Sequence, residues 1–130
     1  MPFELKRGDA FLISFPDNPH AHLFVVITEI ESTTGNFVMV GIESINKRSD
    51  LTVILKPGDH PFIKHESAIT YRMASIRSLS WLEGFTNRKL ASRKEPFTEE
   101  IIERVCKGFL RSPQTPNDVK DFFLNLTWKI

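Results

Sequence analysis

Over the first 80 positions the apolar residues come in short runs rich in Val, Ile and Phe, cut by clusters of Gly, Pro, Asn and Asp. That rhythm is the punctuation of successive strands. It predicts strands over residues 8–15, 22–31, 37–44 and 50–56. A fifth lies over 68–76, with Ile69, Tyr71, Met73 and Ser75 on one side and Thr70 and Arg72 on the other. Strands this close together leave no room for helical crossovers, so the pairing is mostly antiparallel. Curling the sheet into a small barrel then protects its edges.

From Pro96 the period changes. Phe97, Ile101, Ile102, Val105 and Phe109 recur at helical spacing, with Thr98 as N-cap and Glu99 and Glu100 in the first turn, where the helix dipole favours anions. Pro113 ends this helix. A second begins at Thr115-Pro116, with Thr115 as cap, and presents Val119, Phe122, Phe123 and Leu126; the last four residues, 127–130, are apolar enough to dock. The chain therefore reads as one domain. Residues 1–82 form the β-barrel, 83–96 an exposed basic connection, and 97–130 two C-terminal helices packed on the barrel.

Composition narrows the class without naming a function. A chain of 130 residues, 41% apolar and 25% charged, supports one core and is too apolar to be disordered. A net charge of +1 gives no global field for nucleic acid, so any such contact comes from local patches. The single cysteine, Cys106, excludes an intramolecular disulfide and fits a reducing interior. No window has the apolar length of a membrane span and the start lacks a signal peptide's apolar stretch, so the expectation is a cytoplasmic protein with no membrane contact.

The candidate chemistry is histidine. Walker loops, G-x-G-x-x-G, H-E-x-x-H and paired C-x-x-C are all missing from the sequence, and no cofactor is expected. The four histidines form two pairs: His20 and His22 in H-A-H, and His60 and His65 in D-H-P-F-I-K-H-E-S. The first pair lacks a cysteine or clear carboxylate to complete a metal site, and no metal is expected. The second pair suits phosphodiester transfer in RNA. Imidazole, with an unperturbed pKa of about 6.5, supplies base and acid near neutrality, while Lys64 or Arg72 steadies the charge on phosphorus. The plainer alternative is that the pair finishes a turn anchored by Pro61-Phe62-Ile63.

Taken in order, the strands resemble the MazF/PemK/Kid group of toxin endoribonucleases. The residues that carry the likeness are R-G-D-A-F-L-I-S-F-P-D over 7–17, L-F-V-V-I-T over 23–28, the runs at 37–44, 50–56 and 68–79, and the helix at 97–110. The resemblance implies a mainly β fold, a small SH3-like antiparallel barrel of about five to seven strands with a closing helix; the second C-terminal helix read from the periodicity and the D-H-P-F-I-K-H-E-S turn depart from the family pattern. It also implies metal-independent cleavage of single-stranded RNA, a homodimer, and a cognate antitoxin protein of a type II toxin–antitoxin system. His22 falls where the family carries an arginine and Ser44 where it carries a hydroxyl residue. The expected catalytic residues are His60, His65, His22 and Ser44, and the expected RNA contacts are Lys64, Arg72, Lys47 and Arg48. The alternative is a non-catalytic SH3-like module that binds protein or nucleic acid.

Overall fold

The computed structural model describes residues 3–128, apart from the side chains of Pro19, Thr127 and Trp128; the expected docking of the final four side chains lies outside the described residues. Six antiparallel strands form one sheet: β1 (Ala10–Phe15), β2 (Asn18–Val26), β3 (Asn36–Ser44), β4 (Ile54–Leu55), β5 (Ser67–Ser78) and β6 (Ala91–Lys94). Their order is β4-β5-β3-β2-β1-β6, curled as a half-barrel with β4 and β6 at its edges. Among the described residues three helices accompany it: α1 (Leu79–Asn87), α2 (Glu99–Arg111) and α3 (Asn117–Trp128).

Strand alternation divides the sheet into two apolar faces. Leu23, Val25, Val38, Val40, Ile42, Ile69 and Tyr71 point to one side and pack with Ile101, Ile102, Val105 and Phe109 of α2 and Val119 and Phe123 of α3. Phe11, Ile13, Val26, Phe37 and Met39 point to the other and pack with Leu82 of α1 and Ala91 of β6. A register break between Met39 and Gly41 of β3 makes β5 bulge, so that the α2-facing residues step from Tyr71 to Ala74. Arg72 and Met73 project from that bulge into solvent.

The long helix obeys its sequence signal. The Thr98 side chain accepts from the Ile101 N–H, and Glu99 and Glu100 occupy the first turn. Thr115 behaves differently from expectation: its hydroxyl is buried and donates to the Phe109 carbonyl at 2.7 Å, closing the end of α2 rather than capping α3. Nor are residues 83–96 a bare connection. Ser78 accepts from the Trp81 N–H and starts α1, and β6 then pairs along β1 from Ala10↔Lys94 to Ile13↔Ala91. Residues 50–56 contribute only the two-residue β4, because Asp50 holds the preceding loop against α2 instead of letting it extend.

Asp50 is the polar clasp of that junction. One carboxylate oxygen accepts from the Ser112 hydroxyl at 2.5 Å; the other accepts from the Thr52 N–H at 2.9 Å and its hydroxyl at 2.5 Å. Burial alone would raise the acid's pKa, but the hydrogen bonds from Ser112 and Thr52 outweigh it and hold the group below the ordinary carboxylate value. A depressed folded pKa contributes stability that is present above the unfolded value of about 3.9 and lost as pH falls through the folded one. Asp50→Asn is therefore expected to cost about 1.5–3 kcal/mol at neutral pH. In urea titrations its deficit against wild type should shrink below about pH 4.

Candidate functional site: a cleft on the α1 side of the sheet

Where β2, β3 and β5 run past the end of α1, the second face of the sheet is left open as a cleft of about 280 Å³. Its floor is aromatic. Phe24 lies over Gly41 of the neighbouring strand so closely that a Cβ there would stand 3.1 Å from the ring, which is why a glycine occupies the middle of β3. Phe15 meets Phe24 edge to face at 5.9 Å and Phe85 at 5.7 Å, joining the floor to an aromatic cluster that continues through Trp81. Arg77 lies 4.3 Å from the Trp81 ring centroid and caps that cluster.

The polar wall comes from three strands. His22 on β2, Glu43 on β3, and Thr70 and Arg72 on β5 all line the cleft. Pairing of Leu23 with Ile42 and of Gly41 with Thr70 sets the register that gathers them. The Glu43 carboxylate is 4.0 Å from the Arg72 guanidinium and accepts from the Ser49 hydroxyl at 3.3 Å. An imidazole, a carboxylate, a hydroxyl and a guanidinium above an aromatic floor can hold a phosphodiester and move a proton at it.

The expected site residues are divided among several places. His22 and Arg72 share the cleft; Ser44, one residue past Glu43, alternates to the other side of β3 and is solvent-exposed. Lys47 and Arg48 lie exposed on the turn after β3, and Arg48 reaches a second cleft that also includes Arg72. Lys64 and His65 are exposed on the loop between β4 and β5, outside the cleft.

His60 does not pair with His65 at a common cleft. It is 3% exposed and stacked on Phe97, with ring centroids 4.4 Å apart. Nδ1 accepts from the Phe62 N–H at 3.0 Å, which leaves Nε2–H to donate to the Glu95 carbonyl at 2.6 Å. Both nitrogens are occupied in pinning the loop that carries Ile63 into the core. The expected outcome of His60→Ala is a loss of about 2–4 kcal/mol from the cavity and the broken hydrogen bonds, read by urea denaturation.

Among the described residues no three His, Cys, Asp or Glu side chains gather as a metal site, and no helix is long and apolar enough to cross a membrane. Cys106 is half-buried between the Ile27 carbonyl and Arg7, and burial raises its thiol above the ordinary value despite the nearby guanidinium. A thiol held in its protonated form is a poor nucleophile. Thr70 and Phe24 were hidden in the sequence because each reads as an ordinary strand residue, while Glu43, beside Ser44, reads as a weak general-base candidate on a solvated barrel rim; their common side is set by the register between strands. Neither a model of a known protein family nor a curated protein matches the chain.

Proposed function

We propose that the cleft of His22, Glu43, Thr70 and Arg72 binds single-stranded RNA and cleaves it, and that the curled sheet is an SH3-like half-barrel of the MazF/PemK/Kid kind. The observation that carries this reading is that those four side chains line one cleft together with Phe24. Phe24 is a stacking platform for one base, a contact that tolerates any base identity. Arg72 holds the adjacent phosphate through its guanidinium fork. His22 takes the proton of the 2′-hydroxyl; the 2′-oxygen attacks phosphorus, the bond to the 5′-oxygen breaks, and water protonates the leaving oxygen. The products are a 2′,3′-cyclic phosphate and a 5′-hydroxyl. Thr70 donates to a phosphoryl oxygen, and Glu43 orients Arg72. The resemblance in sequence further supports a homodimeric toxin controlled by a cognate antitoxin.

Incubating the purified protein with long single-stranded RNA in EDTA tests this reading. Cleavage that leaves cyclic-phosphate ends, and that falls about 10²–10³-fold in Arg72→Ala, is the expected result. Binding without cleavage returns the non-catalytic module; cleavage abolished by EDTA points to metal chemistry instead.

A further inference from the structure

Arg72 belongs to two clefts. Besides lining the one under His22, it lines an adjoining open cleft of about 480 Å³ together with Arg48 and Gln114. These three residues come from separate parts of the chain: the turn after β3, the bulge of β5 and the segment after α2. The turn that carries Arg48 is built rather than loose. The Asn46 side-chain oxygen accepts from the Arg48 N–H at 2.8 Å, the Ser49 hydroxyl accepts from the Asn46 N–H at 2.9 Å, and that hydroxyl donates to Glu43. Glu43 is thus linked to both arginines, bonding the turn of one through Ser49 and lying 4.0 Å from the guanidinium of the other. Among the described residues no carboxylate lies within ion-pair distance of Arg48, so two guanidiniums face this cleft against one carboxylate. Two exposed guanidiniums with one partial counter-charge form an anion site, and their planar forks match the oxygens of a phosphodiester.

We propose that Arg48, Arg72 and Gln114 form a second phosphate subsite, holding the RNA phosphate next to the one that reacts. This rests on the reading of the first cleft as the place where RNA is cleaved. Arg72 then bridges two successive phosphates, and Arg48 fixes the direction in which the strand leaves. Occupation of the subsite requires a substrate that extends past the scissile bond on one side, so short RNAs ending at that bond forgo its contribution.

The test compares Arg48→Ala with wild type and with the charge-matched, exposed control Lys56→Ala, on a nested series of RNA oligonucleotides trimmed from either end. The expected result is a roughly tenfold rise in KM for long RNA in Arg48→Ala alone, with the slope of log KM against log salt reduced by about 0.7. The penalty should vanish when the substrate is trimmed from one end and persist when it is trimmed from the other. An Arg48→Ala enzyme equal to wild type on every length, or impaired equally on every length, overturns the subsite while leaving the cleavage reading in place. Absence of RNA cleavage by the wild type overturns both.

Discussion

Gly108→Ala is expected to lower stability by about 3 kcal/mol and the thermal midpoint by about 10 °C. Gly108 lies in the last turns of α2, facing the sheet, and a Cβ there would stand 2.3 Å from Val53 Cγ2 and 2.4 Å from the Tyr71 hydroxyl. Neither neighbour has room to retreat. Tyr71 is fully buried and its hydroxyl donates to the Val105 carbonyl at 2.7 Å, while Val53 is buried beneath the same helix. An added methyl therefore lifts α2 from the sheet or forces both side chains off their rotamers. The Gly108→Ala/Tyr71→Phe pair recovers only part of the loss, because the Val53 contact survives; urea unfolding of the four proteins of that cycle measures the share. A loss under about 1 kcal/mol would mean that α2 does not seat at this depth.

His22→Ala is expected to leave stability within about 0.5 kcal/mol of wild type, as for an exposed residue without buried partners. It should nevertheless reduce RNA cleavage by about 10²–10⁴-fold, the usual worth of a positioned proton carrier. Urea unfolding checks the first half, and single-turnover cleavage across pH 5 to 9 checks the second. Wild type should show a pH dependence that His22→Ala lacks, and residual cleavage in the variant should depend only weakly on pH. His60→Ala should show the reverse pattern, a loss of stability with the shape of the pH profile retained, since both ring nitrogens are bonded to backbone groups.

The elements that could be read from the sequence are those whose apolar pattern is long and one-sided. β3, β5 and α2 fall within about two residues of their expected bounds, and Thr98 caps α2 as its position suggested. Two elements were hidden for opposite reasons. The helical spacing of Leu79, Leu82 and Phe85 follows directly on a strand and is interrupted by Gly84, which disfavours helix, so α1 reads partly as the end of the barrel and, from residue 83, as the polar connection. β6 is an edge strand whose Ser92 and Arg93 are polar because edges are kept polar, so it resembles a linker.

The site was legible only in part. Alternation shows that His22 and Phe24 share a side of β2, Gly41 and Glu43 a side of β3, and Thr70 and Arg72 a side of β5. Which sides coincide depends on strand register, fixed here by the Leu23↔Ile42 and Gly41↔Thr70 pairs and by a bulge that the sequence does not mark. The histidine pair in D-H-P-F-I-K-H misleads because proximity in sequence says nothing about burial. The Pro-Phe-Ile plug that draws Ile63 into the core takes His60 with it and leaves His65 outside.

The most direct measurement is the backbone amide spectrum of the 15N-labelled protein titrated with a 2′-O-methyl RNA oligonucleotide, which binds without being cut. The predicted result is a set of shifts concentrated at Phe24, Gly41, Glu43, Thr70 and Arg72 on the open face of the sheet. Shifts confined to the loop of His60 and His65 or to α2 and α3, or no shifts at saturating RNA, would contradict it.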